Sequence, residues 1–336
     1  MKDLRDYSLK THNTFGLDAR CNRFLEYSTA NEACAIAAVL RSSDTPYIII
    51  GGGSNLLLTR DFDGIVIHSA MMGMELQGNR LRCGSGVVWD DVVAWTVEHG
   101  LVGAENLSLI PGDVGASAVQ NIGAYGVEVK DLITEVEAVE IVTGEIRTFS
   151  NADCQYGYRN SRFKREWKNK YLITRVTYQL TPLVQNPALH LDYGNIRAEL
   201  AKRDMPTPTP QQLRQVIIDI RREKLPDPAV MGNAGSFFMN PVISRALYEQ
   251  LADQYPDMPH YYIDSQHEKI PAGWMIEQCG WKGRSLGRAG VHDKQALVLV
   301  NCGGATGAEV VNLCRAIQQD VKAKFGIEIL PEVNIV

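Results

Sequence analysis

The stretch Ile110–Glu128, IPGDVGASAVQNIGAYGVE, sets Gly112, Gly115, Gly123 and Gly126, with Ala116, Ala118 and Ala124, around Ser117, Gln120 and Asn121. Glycine lets backbone amides approach a ligand closely and tolerates positive φ. Successive backbone N–H groups form an anion-binding concavity. The segment therefore reads as a cradle for a large phosphorylated cofactor, with a glycine-rich structural turn as the alternative. A second glycine loop, Gly51-Gly52-Gly53-Ser54-Asn55, follows the apolar run Tyr47–Ile50. It lacks the GK[ST] ending of a phosphate-binding P-loop and the GxGxxG spacing that opens a dinucleotide-binding helix. Two glycine loops far apart in sequence suggest a dinucleotide gripped by two lobes.

Three further groups of residues carry reactive side chains. In Arg221–Pro241 (RREKLPDPAVMGNAGSFFMNP), Ser236 lies in no GxSxG elbow, which disfavours a nucleophilic role. Its hydroxyl suits proton delivery to a basic carbon intermediate, or it braces a turn. Tyr156–Lys164 (YGYRNSRFK) gathers Tyr158, Arg159, Arg162 and Lys164. Arginine suits a carboxylate and lysine a phosphate, and a basic surface loop is the alternative. Glu332 stands in the expected apolar C-terminal strand Leu330–Val336 (LPEVNIV), as an acid if burial raises its pKa or as an exposed edge residue of the tail.

These groups need elements to hold them. A chain of 336 residues favours two or three domains. At 45% hydrophobic and 22% charged it is of ordinary globular composition. The net charge of -5 gives no reason to expect nucleic acid or a membrane surface as partner. Cysteines 21, 34, 83, 154, 279, 302 and 314 form no CxxC pair, as expected of reduced thiols in a cytoplasmic protein. The histidines are dispersed, so no metal site is expected. The polar N-terminus resembles no signal peptide, and no apolar run reaches the roughly 18 residues of a membrane helix.

Periodicity predicts helices around Asn31–Arg41 (capped by Thr29 or Asn31), Asp90–His99, Gln211–Arg222, Ser244–Gln254 and Gly307–Phe325. Strands are expected at Tyr47–Ile50, Gly64–His68, Glu135–Val142, Tyr171–Leu180 and Gln295–Val300. The composition shifts at 181–210, and Leu225-Pro226-Asp227-Pro228 breaks a helix. The expected division is 1–68 with the tail 331–336, then 69–224, then 225–330.

Taken together, Asn13-Thr14-Phe15, Gly51–Leu57, Ile110–Glu128, Tyr156–Phe163, Lys224–Pro228, Gly232–Pro241, Ala272–Cys279 and Leu330–Val333 resemble the UDP-N-acetylenolpyruvoylglucosamine reductases, flavoenzymes of bacterial peptidoglycan precursor synthesis. The resemblance runs from about residue 12 to the C-terminus. It implies an α+β fold: a two-lobed FAD-binding domain of the vanillyl-alcohol-oxidase/PCMH type plus an α+β substrate-binding domain. It implies bound FAD, NADPH as co-substrate, a nucleotide-sugar substrate and a cytoplasmic monomer. By the same resemblance, Ser236 donates the proton, while Glu332 and Arg159 hold the substrate carboxylate.

FAD would contact Gly51, Gly52, Gly53, Ser54, Asn55, Leu56, Ile110, Pro111, Ser117, Ala118, Gln120, Asn121, Ile122, Gly123 and Ile173. The substrate would contact Tyr158, Arg221, Lys224, Asn240, Tyr261 and Gln295, with Tyr193 matching a closing tyrosine loop of one subtype. The chain departs from the pattern at Asn334, where a basic residue is common, and at Ala118, where proline is common. Three other readings compete. An oxidase of the same flavin fold and a non-catalytic nucleotide-sugar binder have no use for Ser236 with Glu332. A hydrolase lacks its nucleophile elbow and catalytic histidine.

Overall fold

The computed structural model describes residues 1–185 and 188–336. Asn186 and Pro187, within the expected composition shift, lie outside the described residues. The chain divides into two compact units. The first comprises Met1–Tyr7, Cys21–Gly52 and Asp63–Arg221; the second comprises Ser8–Arg20, Gly53–Phe62 and Arg222–Val336. Both mix helices and strands, so the α+β class expected from the sequence is the class observed.

In the first unit, a four-stranded sheet runs in the order Lys2–Ser8, Arg20–Tyr27, Phe62–Ser69, Tyr47–Ile50. The last two strands are parallel, with Tyr47 opposite Ile65 and Ile50 opposite His68. Helix α1 (Ala30–Arg41) starts where the Thr29 side chain accepts from the Glu32 amide. It buries Ala33, Ile36, Ala37 and Leu40, the three-to-four spacing of one helical face, against Leu25, Ile65 and Ile67.

A five-stranded antiparallel sheet follows, ordered Ile146–Ser150, Ile133–Glu140, Tyr171–Gln179, Arg80–Gly84, Met74–Gln77. Its core takes in Trp89, Val92 and Val93 of α2 (Trp89–Glu98) and Val114 and Ala118 of α3 (Val114–Gln120). A smaller cluster joins Ile196 and Leu200 of α4 (Ile196–Lys202) to Leu213, Val216, Ile217 and Ile220 of α5 (Pro210–Lys224). Helix α4 was not expected from the sequence, and its seven residues span barely two turns. Helix α5 stops before Leu225-Pro226, as a proline two residues on requires.

In the second unit, strands Asn233–Ser236, Val298–Asn301, Ala289–Val291 and Ser285–Leu286 make one sheet, and Val242–Ser244, His267–Lys269 and Tyr261–Asp264 another. Helices α6 (Arg245–Gln254), α7 (Ala272–Gln278) and α8 (Gly307–Phe325) cover them. Helix α8 carries a reciprocal Thr306–Glu309 capping box and ends at left-handed Gly326. Phe15, Leu17 and Leu57 enter this unit's core beside Phe237, Phe238 and Ile329.

Two strand expectations change. The strand placed at Gln295–Val300 is Val298–Asn301, and Gln295 sits in the preceding turn, its carbonyl accepting from the Val298 amide. Glu332 also lies outside the final strand, which is only Asn334–Ile335 and pairs parallel to Leu56–Leu57.

Candidate active site

The first unit brings Gly51 and Gly52 against the start of Ile110–Glu128. A Cβ built on Gly51 would lie 2.9 Å from the Ala116 Cβ, and one on Gly52 would lie 3.5 Å from the Gly112 Cα. The half-buried backbones of these two loops therefore run side by side. That arrangement fits an extended diphosphate cofactor, which needs main-chain approach rather than bulky side chains. The amides of Val114 and Gly115 are engaged by the Val87 and Ser85 carbonyls, so the start of α3 does not offer them to an anion.

Several small residues of the segment answer to the protein itself. A Cβ on Gly115 would press the Ser85 Cβ at 3.0 Å, and one on Gly123 would reach Arg159 Nη1 at 2.7 Å. To that extent the structural-turn reading is correct. The Ser117 hydroxyl lies 2.7 Å from the Val114 carbonyl and 3.1 Å from the Tyr178 hydroxyl. Left-handed Asn121 (φ 50°) is buried, its Nδ2 donating to the Gly157 carbonyl at 2.7 Å while its Oδ1 accepts from the Lys130 amide. Ala118 is fully buried, and Ile173, also buried, gives its carbonyl to the Tyr27 hydroxyl at 2.6 Å. Ile110 and Ile122 are half-buried and Pro111 is exposed.

Asp113 touches Gly52 and lies 3.8 Å from His68, whose other ring nitrogen is 3.0 Å from Glu26. Burial alone would depress the His68 pKa, but the Asp113 and Glu26 carboxylates outweigh it and hold the pKa above its ordinary value.

Tyr158 and Arg159 occupy the tip of a tight turn closed by Gly157 and Asn160, whose amides and carbonyls exchange bonds of 3.0 Å. The Arg159 guanidinium donates to the Gly123 carbonyl and lies over the Tyr158 ring. Tyr193 meets Tyr125 edge-on at 6.3 Å and packs along Gly126. The Arg221 guanidinium is held beside Tyr125, yet its Nε is buried with no hydrogen-bond partner among the described residues. Burial pushes its pKa down, and Tyr125 and Asp90 oppose that shift. A buried, under-satisfied guanidinium suits a bidentate phosphate. Sequence reasoning passed over Tyr125, whose only signal was its place between Ala124 and Gly126.

In the second unit, the backbone segments that carry Ser236 and Glu332 pair with each other. The Glu332 amide donates to the Phe237 carbonyl at 2.8 Å, the Met239 amide donates to the Leu330 carbonyl at 2.9 Å, and Phe238 stands opposite Pro331. Glu332 is half-buried. Ser236 is exposed between buried Ala234 and Phe237. The turn before it is braced by Asn233, whose Oδ1 accepts from the Gly235 amide and whose Nδ2 donates to the Pro226 and Met231 carbonyls. The bracing role considered for Ser236 thus belongs to Asn233.

Thr14 ties this turn to Gly53: its hydroxyl donates to the Asn233 carbonyl at 2.5 Å, and its amide donates to the Gly53 carbonyl. Gly53, with φ +68°, has no room for a side chain, because a Cβ would sit 2.0 Å from the His12 carbonyl oxygen. Ser54 is half-buried beside it.

Asn334 donates through Nδ2 to the Asn55 carbonyl at 3.1 Å, and its amide donates to the same oxygen. Asn240 and Gln295 converge on α7: Asn240 Oδ1 accepts from the Ala272 amide, and Gln295 Oε1 would lie 3.2 Å from a Cβ on Gly273. Tyr261 is on an edge strand under the Lys269 ammonium, and Lys224 is exposed.

Comparison with known proteins supplies the deciding observation. A reductase from Bacteroides fragilis strain YCH46, named UDP-N-acetylenolpyruvoylglucosamine reductase, is 53% identical over 98% of this chain and 99% of its own length. The chain belongs to the UDP-N-acetylenolpyruvoylglucosamine reductase family. The same-named protein of Flavobacterium johnsoniae is 44% identical over 98% of both chains. The family model of the reductase C-terminal domain matches residues 227–336, and a model described as an FAD binding domain matches residues 22–150. The solved reductase of Thermus caldophilus shares the fold, with a TM-score of 0.67 at 22% identity over 99% of this chain and 98% of that one. Both glycine loops fall inside the FAD-binding match, and Ser236, Asn240, Gln295 and Glu332 fall inside the reductase C-terminal match.

Proposed function

We propose that this chain reduces UDP-N-acetylglucosamine enolpyruvate to UDP-N-acetylmuramate, using bound FAD and NADPH, in peptidoglycan precursor synthesis. Membership of the reductase family makes it a flavin-dependent oxidoreductase. When bound, FAD supplies the hydride chemistry, accepting a hydride from NADPH and passing one to the enolpyruvyl double bond. The glycine loops at 51–56 and 110–123 would hold it through backbone contacts.

The observation that carries the reading is the backbone pairing of the Ser236 segment with the Glu332 segment, the one bearing an exposed hydroxyl unused by its own turn and the other a half-buried carboxylate. Hydride addition to the double bond leaves charge that spreads onto the substrate carboxylate. Glu332 and Arg159 would hold that carboxylate, and donors fixed in advance at developing charge lower the barrier. The Ser236 hydroxyl would give its proton to the carbon next to the carboxylate. Arg221, Lys224, Tyr158, Asn240 and Gln295 would take the substrate diphosphate, with Tyr261 a weaker candidate.

Tyr193, half-exposed against Tyr125, supports the subtype whose tyrosine loop closes over substrate. The three-part division at 68/69 and 224/225, a monomeric state and a cytoplasmic location belong to the same reading. Among the described residues, no helix is long and apolar enough to cross a membrane.

The test is the visible spectrum of the purified protein under anaerobic conditions. Flavin bands should bleach with NADPH and return when the enolpyruvyl UDP-sugar is added. Bleaching without return would move the chain to another substrate, and failure to take up FAD would remove the flavin reading.

A further inference from the structure

Arg159 occupies an unusual backbone position. The turn Gly157-Tyr158-Arg159-Asn160 has positive φ at its third residue, Arg159 (φ 52°), a position that ordinarily takes glycine or asparagine. A long side chain there is strained, because its Cβ crowds the backbone carbonyl. Such strain persists where the surroundings over-determine it.

The surroundings are three bolts between this turn and α3. Asn121 Nδ2 donates to the Gly157 carbonyl at 2.7 Å, and the buried Ser161 hydroxyl donates to the Val119 carbonyl at 2.7 Å. The third bolt is Lys164. Its ammonium donates to Gln120 Oε1 at 2.7 Å and to the carbonyl of Arg159 itself at 3.2 Å. Of the three, it alone holds the strained residue. At the far end of Arg159, the guanidinium reaches the Gly123 carbonyl in the space that glycine leaves open.

We propose that Lys164 is a positioning residue for Arg159, its ammonium clamping the Arg159 carbonyl to Gln120 so that the guanidinium is held for the substrate carboxylate. The proposal rests on the role given to Arg159 above. It also reassigns Lys164 from the phosphate contact its type suggests to a contact with the protein's own backbone.

The experiment measures the two half-reactions separately by anaerobic stopped-flow in the flavin-loaded enzyme, for K164M, R159A, the double variant and K164R. K164M should slow reoxidation by the enolpyruvyl UDP-sugar on the order of ten- to a hundredfold, the worth of a hydrogen bond to a charged group. Its reduction by NADPH should stay within about twofold of the parent, since the clamp acts only through Arg159. K164M should add nothing in the R159A background. K164R, which keeps a charged donor, should recover most of the rate and shows that the loop folds. Multiplicative effects of K164M and R159A would overturn the clamp, as would equal loss of both half-reactions. If R159A alone leaves reoxidation unchanged, the role of Arg159 falls instead, a result distinct from failure of the clamp.

Discussion

The Ile110–Glu128 segment and the Gly232–Pro241 segment are both glycine-containing loops rich in small polar residues, yet they are built in opposite ways. In the first, the polar side chains look inward: Ser117 bonds within its own helix and at Tyr178, Asn121 pins Gly157, and Gln120 accepts from Lys164. In the second, the Asn233 side chain braces the turn, Thr14 bonds its backbone, and Ser236 stays exposed. On the function proposed above, the loop that would present backbone to a large cofactor is made rigid by satisfying its side chains internally, and the loop that would deliver a proton keeps one hydroxyl out of that network.

The sharpest way to break this contrast is Ser236→Ala. Substrate reduction should fall about 10²- to 10⁴-fold, the usual worth of a positioned proton donor. Flavin reduction by NADPH and thermal stability should be unchanged. Equal loss in both half-reactions, read by stopped-flow absorbance, would mean that Ser236 supports the fold after all.

Next in size is a pair of glycines with the same φ of +68°. Gly53→Ala drives a Cβ to 2.0 Å from a backbone carbonyl, whereas Gly235→Ala meets nothing within 4 Å. Gly235→Ala should cost about 1–2 kcal/mol for the backbone conformation alone. Gly53→Ala should lose a further 1–3 kcal/mol or so from the overlap, and FAD affinity with it. Urea unfolding of both variants decides; equal losses would show that the Gly53 loop simply retreats.

A smaller effect is expected of Asn334→Ala, which removes one donor to the Asn55 carbonyl and should cost about 1 kcal/mol. Flavin titration should show weaker binding if that clamp steadies the loop, and no change if the backbone bond suffices.

The smallest effect is on pH. The raised folded-state pKa of His68 means that its charged form is stabilised by folding. That contribution is complete below the ordinary histidine value and fades as the solution rises through the raised one. Stability of the parent should therefore decline over that window, and His68→Gln should flatten the decline. A parallel decline in both proteins would assign the effect elsewhere.

Much of this was legible along the chain. Amphipathic spacing located α1, α2, α5, α6 and α8 to within a residue or two at most ends, because each buries one continuous face. The motifs around Ser236, Glu332 and the glycine loops pointed to the reductase family before any geometry was considered. Other features were not legible. Helix α4 is too short to show a period, and Gln295 was absorbed into the apolar run that follows it. The inward engagement of Asn121 and Lys164 was invisible, because type and spacing do not say which partner a polar side chain finds.

The sequence by itself determined where the longer amphipathic helices fall, which loops are too small for side chains and which residues have reactive chemistry, since those depend on local propensity, period and residue type. Only the tertiary structure decided that the Glu332 amide meets the Phe237 carbonyl, that Gly51 packs on Ala116, that Asn233 rather than Ser236 holds its turn, and that Lys164 clamps Arg159. Each is a contact between segments far apart in the chain or a choice among several chemically equal partners. Such contacts form only when the cores close and polar groups removed from water must find partners within the protein.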